Sequence, residues 1–77
     1  MTDDEAGLEA LRRWGDKAIT LKTEAPLFPG GYLYKVGRRV LLPKGDDYVS
    51  IRGIADSWEG AFTLATRYEH RMSYGKN

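Results

Sequence analysis

Seventy-seven residues, 42% of them hydrophobic, with no cysteine and a formal charge of +1, bound one small folded domain with a slim core. Disulfides, a thiolate nucleophile and a cysteine zinc site are excluded, and no apolar run reaches the ~20 residues of a membrane span. The charge is uneven, net −2 over residues 1–30 and +3 over 31–77, well short of the basic footprint of a dedicated nucleic-acid binder.

Thr2 followed by Glu5 reads as a capping box, and Asp3, Asp4 and Glu5 load the first turn favourably for the helix dipole. A helix over 3–14 is expected, closed by Gly15. Its apolar stripe is Leu8, Leu11 and Trp14. So short a helix depends on docking, which marks it as a piece that could face a partner.

Residues 17–24 alternate, with Ile19 and Leu21 on one side and Thr20 and Lys22 on the other, and predict a half-buried strand. The turn-rich loop 25–31 follows. Its Leu27 and Phe28 are expected to plug the open end of the core, the alternative being an exposed apolar tip.

Three short strands are then expected, 32–36, 39–43 and 48–54. Gly37-Arg38 reads as a two-residue type II′ turn and 44–47 as a four-residue loop. Those turns pair Leu42 with Val49 and Val40 with Ile51. Leu33, Val40, Leu42, Val49 and Ile51 then share the face that a helix should cover. Tyr32, Tyr34, Arg39, Leu41, Tyr48 and Arg52 share the other. A one-residue slip would exchange the two sets.

The most strongly patterned stretch comes last. Trp58, Ala61, Phe62, Ala65, Tyr68 and Met72 recur at helical spacing and predict a helix over 57–72, with Asp56 and Glu59 as its capping box. Glu69 falls inside that stripe. It either bends outward at the helix end or forms a partly buried pair with a cation from the sheet.

The fold class is therefore α+β: one domain over 1–77, an antiparallel sheet of three to four strands, a long C-terminal helix packed on one face and a short N-terminal helix, in the order α-β-β-β-β-α. The order helix, strands, helix is similar to double-stranded-RNA-binding domains. Where those carry a basic motif at the start of the last helix, this chain has Asp56-Ser57-Trp58-Glu59. A three-stranded sheet followed by a helix also resembles the DNA-reading domains of phage-type integrases and plant AP2 factors, in element order over about forty-five residues. These resemblances imply nucleic-acid binding.

Catalytic chemistry finds no constellation. His70 is the single histidine and falls on the polar side of its helix, with no carboxylate four residues away to orient it. Asp46-Asp47 lacks the further oxygen ligands of a calcium loop, and the glycines match no phosphate-loop pattern. No enzyme activity, metal or cofactor is expected. The expected site is a partner-binding face of Tyr32, Tyr34, Arg38, Arg39, Tyr48 and Arg52, residue types enriched at binding hot spots. The expected function is a cytoplasmic protein-interaction module without a membrane anchor, monomeric or homodimeric. It would be an inhibitor of the kind mobile genetic elements or phages encode, anti-CRISPR-like in style and directed at a host nucleic-acid-handling complex. The alternative is direct DNA or RNA binding through the same Tyr/Arg face.

Overall fold

The first helix forms as its sequence requires. In a computed structural model, which describes residues 1–74, the Thr2 hydroxyl accepts from the Glu5 N–H at 3.1 Å and the Glu5 carboxylate accepts from the Thr2 N–H at 2.7 Å. Helix α1 spans Asp3–Trp14 and ends at Gly15, whose φ of 67° suits glycine and whose N–H reaches back to the Leu11 carbonyl. The last three residues of the expected 1–77 span lie outside the described residues.

Three strands follow: β1 Ala18–Glu24, β2 Tyr32–Leu41 and β3 Asp47–Ala55. They form one antiparallel sheet in the order β1-β2-β3. Helix α2, Trp58–Tyr74, closes the described chain. The α+β class stands, and three strands fall within the expected three to four, because 32–36 and the strand drawn from 39 are one strand.

The merging of those two strands is explained by Gly37. It does not turn the chain; β2 runs straight through it for ten residues. The register steps there, with Val36 opposite Gly53 and Gly37 opposite Ile51, so Arg52 is one extra residue on β3. A β-carbon on Gly37 would overlap the Ser50 carbonyl oxygen. The glycine signal thus came from a close backbone approach at a bulge, not from a hairpin. The actual β2–β3 turn lies at 42–46, where Gly45 takes a φ of 86° and donates to the Leu42 carbonyl at 2.9 Å.

That change also reverses the predicted faces of residues 32–36 and of β3, while Arg39, Val40 and Leu41 keep theirs. Val40 pairs with Tyr48 rather than Ile51, a three-residue shift, and an odd shift exchanges the sides of a strand. Tyr34 and Val36 carry the helices, as do their β1 partners Lys22 and Thr20 and their β3 partners Ala55 and Gly53. Leu33, Val49 and Ile51, expected under a helix, fall on the opposite side.

Both helices lie on the one face, α1 over β1 and α2 over β3. Seven apolar residues are fully buried among those described, and four are alanines: Ala6, Ala10, Ala61 and Ala65. Small side chains let the helices and the sheet approach closely. At Gly53 the approach is closest, because a β-carbon there would overlap the Ala61 carbonyl of α2. Two tryptophans close the ends of this layer. Trp58 meets Tyr34 edge-on at 4.8 Å and donates to Asp3 at 2.9 Å. Trp14 stacks on Phe62 at 6.2 Å and donates to Glu69 at 2.8 Å.

Other expectations change in detail. Helix α1 buries Ala6 and Ala10 and leaves Leu8 67% and Leu11 52% exposed, since the alanine side is the one that lets the helix lie close on β1 and β2. Ser57, not Asp56, caps α2, accepting from the Gly60 N–H at 3.0 Å. Glu59 turns instead to the Met1 ammonium at 2.6 Å. Of the expected helix stripe, Trp58, Ala61, Phe62 and Ala65 are buried, while Tyr68 and Met72 remain exposed. Leu27 is 99% exposed and Phe28 partly so, making the loop an apolar tip rather than a plug.

Candidate interaction surfaces

Pairing and alternation decide which way each expected site residue points. Tyr32, Tyr34, Arg38 and Tyr48 fall in the rows on the helix side of the sheet. Tyr34 is half-buried against Trp58, and Tyr32 lies beside it with the Lys22 ammonium 4.5 Å from its ring centre. Arg38 sits half-buried between Ala18 and Ser50, its Nε without a hydrogen-bond partner. Arg52, carried by the bulge, reaches under α2. Arg39 alone is on the open side. The six residues therefore do not form one face.

The open side is aliphatic instead. Its rows are Ile19, Leu21 and Thr23 from β1, Leu33, Lys35, Gly37, Arg39 and Leu41 from β2, and Asp47, Val49, Ile51 and Ile54 from β3, with Asp47 opposite Leu41 at the arm. Leu21, Val49 and Ile54 are each a little under half exposed and Leu41 is 50% exposed. No described element covers them. Beyond Arg38, β1 has no further residue to pair, so the β2–β3 hairpin projects as a two-stranded arm with Leu41, Leu42, Tyr48 and Val49 all exposed. Lys35 lies mid-face between Leu21 and Ile54. Among the described residues neither Lys35 nor Arg39 has an ion-pair partner.

A second feature lies on the outer flank. A groove of about 400 Å³ runs between β3 and α2, lined by residues 51–54 of the strand and by Leu64, Arg67, Tyr68 and Arg71 of the helix. The Arg52 guanidinium lies 5.3 Å from the Tyr68 ring, 3.4 Å from the Met72 sulfur and 3.9 Å from the Glu69 carboxylate. Glu69 thus takes the second of its two expected courses, a partly buried pair with a sheet cation. The Arg52 Nε is buried without a hydrogen-bond partner.

The helix–helix seam has its own polar clasp. Arg13 donates to Glu9 at 2.6 Å, to the Thr66 hydroxyl at 3.0 Å and to the Phe62 carbonyl at 3.3 Å, with its guanidinium 4.9 Å from the Phe62 ring centre. Arg12 also donates to Glu9. Hydrogen bonds from Arg12 and then Arg13 hold the Glu9 carboxyl down to about 2.

Among the described residues no cluster of histidine and carboxylate side chains is placed to hold a metal ion, and no helix is long and apolar enough to cross a membrane. His70 is exposed on α2. The open aliphatic face was hidden in the sequence because its strands also supply the core; only the register separates the two sides. The Arg67–Arg71 groove had a visible signal, cations four residues apart beside Tyr68, which the strength of the core stripe masked. Compared with protein families, curated proteins and solved structures, the chain matches none of them.

Proposed function

We propose that this chain is a non-enzymatic protein-interaction module whose contact surface is the open face of the sheet. One observation carries the reading: beside Trp58, Phe62 and Val36 the buried layer is alanine, while the aliphatics Leu21, Leu41, Val49 and Ile54 stand in solvent on the other face of the sheet. Contiguous exposed apolar surface of this kind marks association sites.

The occupant is a different protein, presenting an apolar surface with carboxylates. Lys35 at the middle of the face and Arg39 near the arm lack ion-pair partners among the described residues and call for negative charge opposite. A second copy meets the same patch across a two-fold axis, which would bring the two central lysines together. Nucleic acid is less well matched, since Tyr32, Tyr34 and Tyr48 lie on the helix side and leave no stacking platform among the aliphatics.

Affinity capture from the source cells with the full chain and with its Leu21→Thr/Val49→Thr variant tests this. Proteins bound by the wild type and lost from the variant are expected. An unchanged set would sink the reading. A wild-type dimer that the variant abolishes would replace the partner with a second copy. A DNA or RNA shift weakening with a log–log salt slope of about −0.9 per phosphate would replace it with nucleic acid.

A further inference from the structure

The groove beside β3 has three properties that together select a ligand. It borders a free strand edge: β3 is outermost in the sheet, and among the described residues no strand pairs with its far side. Alternate N–H and C=O groups of an outer strand point away from its neighbour and are open to a further strand. It is cationic, with Arg52, Arg67 and Arg71 converging on about 400 Å³. Glu69 is the nearby carboxylate; it pairs with Arg52 at 3.9 Å and accepts from the Trp14 indole at 2.8 Å, which leaves Arg67 and Arg71 as the cations open to a ligand. Third, the Arg52 Nε is buried there with no acceptor.

We infer that this groove binds an extended peptide segment of a partner protein, alternating acidic and apolar residues, which adds to the free edge of β3 as a fourth strand. The dimensions agree. Arg67 and Arg71 are four residues apart on α2, a rise of about 6 Å. Side chains on one side of a strand repeat every ~7 Å. Successive acids of the added strand therefore face successive arginines, with Tyr68 and Leu64 flooring the groove between them. The intervening residues emerge on the opposite side of the sheet, in line with Val49, Ile51 and Ile54, and extend the open aliphatic face. An alternation of the two residue types satisfies both sides at once; a uniformly acidic or uniformly apolar segment satisfies one.

The same charges argue against self-pairing. Two copies joined through their β3 edges would bring six arginines together, and like charges across an interface are unfavourable; β1 of a second copy offers one acid, Glu24, beside Lys22 on the same row, half of what two exposed arginines call for. The inference adds a second surface to the interaction reading; it shares Ile51 and Ile54 with the open face but rests on Arg67, Arg71 and the β3 edge, so the two can fail separately.

The probe is a nine-residue peptide alternating Glu and Val, capped at both ends and titrated into the ¹⁵N-labelled full chain. Amide shifts are expected in residues 51–55 and 64–71. Methylating the amide nitrogens along one edge of the peptide should abolish binding, and methylating the other edge should not, because a strand pairs through one edge. Arg67→Glu with Arg71→Glu, both exposed and so compatible with folding, should weaken binding about tenfold and improve binding of a Lys/Val peptide. Leu21→Thr should leave the affinity unchanged. Absence of binding at millimolar peptide would overturn the inference. So would equal affinity of both methylated peptides, which removes strand addition. A nine-nucleotide single-stranded DNA that binds the same residues more tightly would assign the groove to nucleic acid instead. Loss of binding in Leu21→Thr alone would move the peptide to the open face, against this inference but in keeping with the interaction reading.

Discussion

The two sides of the sheet are built from opposite materials. Under the helices the sheet offers Tyr34, Val36, Ala55, Ala18 and Gly53, against Ala6, Ala10, Ala61 and Ala65 from above, with Trp14, Trp58 and Phe62 filling the space between. On the open side it offers leucine, isoleucine and valine. Burial of apolar area contributes roughly 25 cal/mol per Å², so a chain stabilised only by its own core gains most by turning the large side chains inward. Here the inward layer combines close approach at its alanines and Gly53 with aromatic fill from Trp58 and Phe62, and the aliphatic area of the outward face stays in solvent. The helix side is therefore intolerant of added volume, and the open side is free to change without loss of fold. That contrast is what substitutions can break or sharpen.

The largest effect is expected at Gly53. An added β-carbon overlaps main chain of α2, not the end of a flexible side chain, so the helix must lift as a unit. Gly53→Ala should cost about 3 kcal/mol, at the upper end for overpacked sites, against a total stability of about 5 kcal/mol at the low end for small domains. Urea unfolding followed by circular dichroism measures it. A stability unchanged by the substitution would mean that α2 does not sit on β3 at this point.

Much of the element structure was legible in the sequence. The first helix follows from Thr2, Glu5 and Gly15, and the second from the spacing of Trp58, Ala61, Phe62 and Ala65. The sidedness of the sheet was not legible, for a definite reason. Strands alternate with a period of two, and both sides of these strands carry apolar residues, Tyr34 and Val36 on one and Leu33 and Ile51 on the other. The face then hangs on the register, and the register hung on Gly37. A glycine in a bulge and a glycine in a type II′ turn look alike in sequence, since both answer a demand for no β-carbon. Without the bulge, Arg52 would be counted among the open-face residues, and the groove it helps to form would go unseen.

A smaller effect is expected at the clasp between the helices. Glu9 is held down to about 2 by Arg12 and Arg13, below its unfolded value of about 4.3. A carboxyl depressed by folding contributes stability that is fully present above the unfolded pKa and is lost as pH falls through the folded one. Between about pH 4.3 and pH 2, the wild type should therefore lose stability that Glu9→Gln never had, and the two melting curves should converge toward pH 2. Parallel curves across that range would show that the pair contributes nothing to folding. The effect should be small, because Arg12 is largely exposed and a solvated ion pair is worth ~1 kcal/mol or less.

The smallest stability effect is expected on the open side, and it is the most informative about the contrast. Threonine has the β-branched shape that strands favour, shared with Val49 and new at Leu21, and it removes aliphatic surface. At Leu21 and Val49, each already close to half exposed, the paired change Leu21→Thr/Val49→Thr should alter unfolding free energy by no more than about 0.5 kcal/mol per site. It should also reduce the binding of an environment-sensitive hydrophobic dye, since the contiguous patch is interrupted at two of its strands. Were the variant to unfold as readily as Gly53→Ala, the open side would be part of the core in solution, covered by something that comes with the chain. An unchanged stability together with diminished dye binding separates the two faces cleanly: one holds the fold, and the other is surface that folding leaves unused.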